Sequence, residues 1–505
     1  MLIKSEQEEI ESYLVDASNV RGGQAARVVF PENAEEVAGV LAEASREKIP
    51  VTVSGAGTGI VGGRVPFGGI VLATDRLNRI KEIRREEKGG RAVAEAGVVL
   101  AEFQREVEAR GLLYPPDPTE RSCYLGGTVA TNASGARTFK YGPTRNYVER
   151  LRVALATGDV IDIGRGEILA DEEGKLVISL GGGRKIEARL PSYRMPRTRK
   201  HASGYYVTEG MDAVDLFIGS EGTLGVITEV EVKLLPKPVG VFSGVVFFDE
   251  EENLLAFVSE AREISLRARA NRLTEEVDAR ALEYFDRNSL RFMREKFPLI
   301  PQIACGAIFF EQETTVENED ALLEKWNSLM EKHGALADDS WFALNEHDSA
   351  QMREFRHALP VLVNEWLARH GQRKVSTDMA VPDEEFAGML SFYKDTLQAS
   401  RLQFVIFGHI GDNHVHVNIM PRDEEEARRA REIYGKFIAH AVELGGTISA
   451  EHGIGKLKRD YLLELYGDEH IRQMAQLKLA FDPARILGRG NIFREEFLEG
   501  MRAEG

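Results

Sequence analysis

Cysteine is nearly absent from this sequence: Cys123 and Cys305 are the only two in 505 residues. That excludes a disulfide framework, and it excludes an iron–sulfur cluster held by this chain alone, since such clusters are normally held by four protein ligands. Positive charge is also in deficit, with 64 Lys and Arg against 81 Asp and Glu, a formal charge of −17. Such a surface repels phosphate backbones and anionic lipid, so nucleic acid is not an expected partner. An anionic substrate would need a basic pocket inside an acidic protein. No window approaches the run of about 18 apolar residues that suggests a membrane span. The first residues, MLIKSEQEEIESYL, are charged and lack the apolar centre of a secretory signal. The expected location is cytoplasmic, with peripheral docking at the inner face of the membrane left open.

What is present reads as an ordinary globular enzyme-sized chain. Hydrophobic residues make up 43% and charged residues 29%, and the length exceeds what one core supports, so two or three domains are expected. Residues 31–48 predict a helix, with Pro31, Glu32, Glu35 and Glu36 in its first turn and Val37, Val40, Leu41 and Ala44 as its apolar stripe. A second helix is predicted near 99–110, and a strand–turn–strand passage over 214–236. Pro236 and Pro238 mark the best domain boundary. Beyond it, residues 250–300 and 315–333 read as helix-rich, with strands at 245–248 and 304–310. That pattern suggests an α+β domain with helices against an antiparallel sheet.

The 48 glycines cluster in loops. The first, Ser54-Gly55-Ala56-Gly57-Thr58-Gly59-Ile60-Val61-Gly62-Gly63, contains G-x-G-x-x-G, with Asp75 where a ribose-binding acid would stand. A dinucleotide fingerprint must open a helix, yet Arg64-Val65-Pro66-Phe67-Gly68-Gly69 follows and forms none. The loop still suits a phosphate cradle of backbone N–H groups, because glycine permits close approach. Two further segments accompany it. One runs from Pro115-Pro116-Asp117-Pro118 into Leu125-Gly126-Gly127-Thr128-Val129-Ala130-Thr131-Asn132-Ala133-Ser134-Gly135. The other is Phe217-Ile218 followed by GSEGTLGVIT, residues 219–228.

In order and spacing these segments resemble the FAD-binding domain of the vanillyl-alcohol-oxidase-type flavoproteins. GSEGTLGVIT resembles the branch of FAD-linked D-2-hydroxyacid dehydrogenases: D-lactate dehydrogenase, the glycolate oxidase catalytic subunit and D-2-hydroxyglutarate dehydrogenase. The resemblance runs roughly from residue 25 to 495. It implies an α+β chain with a FAD-binding domain of two α/β subdomains (1–238). A substrate or cap domain with an antiparallel sheet would follow (239–450), then a C-terminal segment returning to the FAD domain (451–505). It places Ser54, Gly55, Ala56, Gly57, Thr58 and Gly59 at the pyrophosphate. Gly126, Gly127, Asn132, Ser134 and Gly135 would follow the ribityl and isoalloxazine portion, with Pro118, Thr131, Glu221, Gly222, Gly225 and Ile227 around the cofactor. The first histidine is His201, so no early loop offers a histidyl link. Cys123 reads as a structural thiol, and dissociable FAD is expected.

Residues 404–420, FVIFGHIGDNHVHVNIM, predict a hairpin. A four-residue loop at Gly411–His414 would pair His409 with His416, their Cβ atoms about 5 Å apart on one face, with Asn418 beside them. Downstream, Ser449-Ala450-Glu451-His452-Gly453 supplies a carboxylate next to another histidine. Two His and one carboxylate suit Zn²⁺ first, with Mn²⁺ or Fe²⁺ as alternatives. The family carries GHxGDGNxH and SAEHGxG here. The resemblance therefore implies His409, His416 and Glu451 as ligands and His452 as the acid–base residue. Asn413-His414 departs from the usual Gly-Asn; His414 reads as loop filler, with an auxiliary ligand or a substrate contact as alternatives. Arg356 resembles the family's substrate arginine, and its planar fork suits a carboxylate; Lys374 is a second candidate cation. The implied reaction is oxidation of a small anionic D-2-hydroxy acid. Electrons would pass to a separate acceptor such as a quinone, an iron–sulfur protein or an electron-transfer flavoprotein. Two rivals remain: an ether-lipid synthase of the same superfamily, and a non-catalytic flavin-binding subunit of a larger complex. A homodimer is left open.

Overall fold

The computed structural model describes residues 1–343 and 346–501. The first long helix spans Ala34–Glu47 rather than starting at Pro31, because Asn33 caps it: its Oδ1 accepts from the Glu36 N–H at 2.9 Å. Val37, Val40, Leu41 and Ala44 all point into one core with Val51, Ile70 and Leu72. Those three belong to a four-stranded sheet ordered Leu2–Lys4, Arg27–Phe30, Ile70–Ala73, Val51–Ser54, whose last three strands run parallel. The chain's end joins the same core. Val51 N–H donates to Ile486 O at 2.7 Å, and Gly488 N–H to Val51 O at 3.0 Å.

A second, antiparallel sheet is ordered Ile80–Glu86, Gly89–Glu95, Val226–Pro236, Val148–Ala154, Val160–Gly164, with Leu112–Leu113 also paired to Val226–Pro236. Two short helices correct the sequence reading. Leu125–Ala130, part of the second glycine segment, is helical rather than loop. Ala213–Phe217 is helical because the Asp212 carboxylate caps it, so the predicted strand–turn–strand is helix–turn–strand.

Gly135 shows how tightly this half is closed. A Cβ there would stand 2.1 Å from the main-chain O of Asp117, and that oxygen belongs to backbone that cannot swing away. Gly135→Ala is expected to cost about 1–3 kcal/mol and to lower flavin content, read by thermal melting and by the flavin absorbance of the purified protein.

The third sheet has seven antiparallel strands in the order Trp341–Phe342, Gly240–Phe248, Gly306–Thr314, Ala279–Asp286, Phe404–Gly408, His416–Ile419, Val375–Ser376. Ala279–Asp286, within a stretch read as helix-rich, is a strand buried along its whole length. Leu282 and Tyr284 share a core with Leu254 and Phe257 of helix Glu251–Asn271. On the other side, Phe285 meets Phe355 of helix Glu346–Arg369, ring centroids 5.1 Å apart. Burial on both faces removes the period-2 alternation by which strands are recognised. The chain passes from the second sheet to the third between Pro236 and Gly240. Among the described residues no helix is long and apolar enough to cross a membrane.

Candidate functional site

A cavity of about 710 Å³ is walled by all three glycine segments, within the size range of cofactor pockets. The first segment contributes Gly55, Ala56, Gly57, Thr58 and Gly59. The second contributes Pro118, Gly126, Gly127, Thr131, Ser134 and Gly135; the third, Glu221, Gly222, Gly225 and Ile227. Two of the candidate cofactor residues do not line it. Ser54 ends its strand fully buried, its hydroxyl on Gly55 O. Asn132 stands in the left-handed region (φ 49°) and is spent on anchoring: it accepts from Arg145 N–H at 3.0 Å and donates to His201 O at 3.3 Å.

The G-x-G-x-x-G loop opens no helix, and Asp75 accepts from the hydroxyls of Tyr13 at 2.8 Å and Tyr124 at 3.4 Å. Arg64 folds over the loop and donates to Gly55 O at 2.6 Å and Val15 O at 3.0 Å. Glu221 accepts from the N–H groups of Ile454 and Gly455, both at 2.7 Å, tying the third glycine segment to the loop that carries Glu451 and His452. Burial pushes the Glu221 carboxyl up to about 6. Cys123 also lines the cavity, and burial pushes its thiol up to about 12. It is a poor nucleophile there.

The same cavity is also lined by Lys374, His416, Asn418, Glu451 and His452. The predicted hairpin register needs correction: Phe407, not His409, pairs with His416, and seven residues connect the strands. The extra length is taken up by a 3-10 turn, Ile410–Asp412, ending in left-handed Asn413 (φ 52°). His409 lies just before that turn, yet its ring still meets His416 with centroids 5.4 Å apart. Both rings approach one oxygen. Nε2 of His409 is 3.3 Å and Nε2 of His416 3.7 Å from Glu451 Oε2.

The other Glu451 oxygen is occupied. Lys200 Nζ donates to Oε1 at 2.5 Å, and the Ser134 hydroxyl at 2.9 Å. Lys200 is wholly buried and also reaches Asp412 Oδ2 at 3.3 Å and Gly135 O at 3.0 Å. Burial opposes the Glu451 charge, but His409 and Lys200 outweigh it and hold the carboxyl well below its usual range. On the outer side of His409, Glu283 Oε1 lies 2.7 Å from Nδ1. Burial disfavours the imidazolium, yet Glu283 and Glu451 together raise His409 to about 9. The pocket between these carboxylates favours positive charge.

His452 is held differently. Its Nδ1 is 3.2 Å from Asp378 Oδ2. Asp378 is pinned by Lys458 Nζ at 2.7 Å, the Ser449 hydroxyl at 2.6 Å and the N–H groups of Glu451 and His452 at 3.2 and 3.1 Å. Burial works against its charge, and His452 and Lys458 overcome it, so Asp378 sits well below the ordinary carboxylate range. With Nδ1 facing Asp378, Nε2 is left for the cavity.

Arg356 is not brought to the cavity. Its guanidinium lies 3.8 Å from Glu283 Oε2 and over the ring of Phe309, and Glu283 in turn meets His409. Its helix presents Pro360 and Asn364 to the cavity instead. Lys374 does line it, has no ion-pair partner among the described residues, and is lowered by burial. Asn418 is buried with its Oδ1 free of hydrogen bonds.

Lys200, Glu283 and Asp378 were missed as site residues. Glu283 carried one signal, a lone carboxylate in the apolar run Ala281-Leu282-Glu283-Tyr284-Phe285. Lys200 sits in a basic run, Arg197-Thr198-Arg199-Lys200-His201, that reads as surface.

Comparisons with known proteins place both halves of the chain in known families. Residues 25–164 match the FAD binding domain family, and residues 245–492 match the C-terminal domain of FAD linked oxidases. The chain is 30% identical to the glycolate oxidase subunit GlcD of Bacillus subtilis over 498 residues, 97% of this chain and 94% of that protein. It is 31% identical to a D-lactate dehydrogenase of Anaerostipes hadrus over 488 residues, 92% of this chain and 89% of that one. In structure it is similar to an alkyldihydroxyacetonephosphate synthase, with a TM-score of 0.66 at 15% identity, covering 96% of this chain and 81% of that one. At that identity the likeness concerns the fold, which is the vanillyl-alcohol-oxidase type. With both halves matched and relatives aligned along nearly their whole length, the chain belongs to the FAD-linked oxidoreductase family of glycolate oxidases and D-lactate dehydrogenases.

Proposed function

We propose that this enzyme oxidises a small D-2-hydroxy acid to the 2-oxo acid with the help of a divalent metal ion, and passes the electrons to a separate acceptor. The observation that carries the reading is the single cavity running from the glycine loops to His452 and Glu451. In this reading residues 1–238 and 451–505 hold FAD, and residues 239–450 close over the substrate. FAD is held without a covalent bond: the early loops contain no histidine, and the thiol of Cys123 is kept protonated.

The donor set fits a divalent ion. One nitrogen of each of His409 and His416 and one oxygen of Glu451 lie within 4.8 Å of one another, and Lys200 and Ser134 tie down the second oxygen, leaving Glu451 one oxygen to give. Glu283 fixes the His409 ring from behind, the outer-shell pattern of metal-binding histidines. When bound, the ion supplies Lewis acidity that lowers the pKa of the substrate hydroxyl, and FAD supplies the two-electron acceptor.

The chain's own groups do the rest. His452 Nε2 takes the hydroxyl proton, while Asp378 on Nδ1 fixes the tautomer and the ring orientation. Lys374 meets the substrate carboxylate and offsets its charge, the part first expected of Arg356. Asn418 offers its amide to the same substrate. D-stereochemistry comes from the family resemblance.

The test is an anaerobic flavin spectrum, titrated with D- and L-lactate, glycolate and D-2-hydroxyglutarate, with and without chelator. Bleaching by one D-acid that the chelator suppresses is the expected result. A bound flavin that no acid bleaches would instead favour the accessory-subunit or synthase reading. Lys374→Met is expected to raise KM roughly 10–100-fold with a smaller change in kcat, the loss of one charged hydrogen bond of about 1.5–3 kcal/mol. Steady-state kinetics with the acid that bleaches best checks it.

A further inference from the structure

We infer that His414 is a third histidine ligand, so that this chain holds its ion with three imidazoles and one carboxylate. The inference rests on the proposed metal reading of His409, His416 and Glu451 and deepens it.

His414 is completely buried, and neither ring nitrogen makes a hydrogen bond. A buried polar side chain with both nitrogens idle is unfavourable and calls for a partner. Its ring lies among the others, with centroids 4.6 Å from His416 and 5.7 Å from His409. One nitrogen from each of the three rings and one carboxylate oxygen of Glu451 all lie within 4.8 Å of one another. An ion at their centre would give His414 the partner it lacks.

The polar neighbour that competes is Asp378, whose Oδ1 stands 3.4 Å from His414 Nε2, beyond the normal range for an N–H···O bond. That oxygen already accepts from the Glu451 N–H at 3.2 Å, while Lys458, Ser449 and the His452 N–H engage the other carboxylate oxygen of Asp378. The backbone explains why His414 points inward. Its N–H reaches back to His409 O at 3.2 Å, and left-handed Asn413 turns the chain so that residue 414 faces the ring cluster. In the family pattern GHxGDGNxH an asparagine stands at this position, so the third imidazole is a feature of this chain.

A consequence follows for the ion. Four protein donors fill a tetrahedral Zn²⁺ shell. A six-coordinate Mn²⁺ or Fe²⁺ keeps two positions, the number a 2-hydroxy acid needs to chelate through its carboxylate and hydroxyl.

The test uses the full-length, flavin-loaded protein charged with Co²⁺. X-ray absorption of the wild type is expected to count three imidazoles, and two would overturn the proposal without any variant having to fold. His414→Asn and His414→Gln are then compared for Co²⁺ affinity by chelator competition. A loss of ~10–100-fold or more is expected, together with altered cobalt d–d bands and unchanged flavin content. Unchanged affinity and bands in both variants would overturn the proposal and leave His414 as a contact of Asp378. If the wild type takes up no stoichiometric Co²⁺, Zn²⁺ or Mn²⁺, the metal reading itself fails, an outcome distinct from two imidazoles around a bound ion.

Discussion

Replacing His452 by Gln is expected to slow anaerobic flavin reduction by ~10²–10⁴-fold, the usual contribution of a positioned general base, while the protein stays folded and keeps its flavin. The structure explains why these outcomes separate. His452 is about one quarter exposed and lies on the cavity wall, so the change removes little buried surface. Asp378 keeps Lys458, Ser449 and the backbone N–H groups when the imidazole is gone. Stopped-flow absorbance at saturating substrate measures the step directly. A wild-type rate in the variant would remove His452 from the chemistry and favour a non-catalytic flavin subunit. Asp378→Asn probes the same unit from behind. A fall in kcat with KM nearly constant is the mark of a mis-oriented base rather than a lost binding contact.

Glu451→Gln is expected to empty the metal site and abolish turnover. Outer-shell partners alone contribute ~10–100-fold to metal affinity, so loss of a ligand charge is expected to cost at least that. The change also strands Lys200, a fully buried ammonium left with Gly135 O and a 3.3 Å contact to Asp412. Breaking a buried pair by removing one partner costs about 3–5 kcal/mol, so a drop in melting temperature accompanies the lost activity. The double variant Glu451→Gln/Lys200→Met separates the two effects. Removing both charges is expected to restore part of the stability, because a buried pair replaced by neutral groups of similar size is close to neutral while Asp412 loses its Lys200 contact, yet neither metal nor turnover returns. Elemental analysis, melting and flavin reduction on the same samples give the three readings. Full metal content in Glu451→Gln would exclude Glu451 as a ligand.

Some of this was legible in the sequence because the information is local. Glycine loops, the alternation around His409 and His416, and the adjacent Glu451 and His452 each sit within a dozen residues, and spacing alone brings such groups near one another. The failure of the dinucleotide fingerprint was local too, since Arg64–Gly69 cannot form the required helix. Where the reading erred, tertiary contacts had overruled a local expectation. A 3-10 turn lengthened the loop after His409 and shifted the hairpin register. Burial on both faces hid the strand Ala279–Asp286. Arg356 packs beside Glu283 and Phe309 rather than lining the cavity, where Lys374 stands without an ion-pair partner among the described residues.

The sequence by itself carried the family resemblance that implied the cofactor, and it determined which residues approach one another along short stretches of chain, because backbone geometry and side-chain spacing do not wait for the fold. Only the tertiary structure decided what stands behind those residues. Lys200, Glu283 and Asp378 lie 251, 126 and 74 residues from the groups they hold, and they matter because all three are buried. In a low-dielectric interior, a charge must be met by another from wherever in the chain the packing brings it.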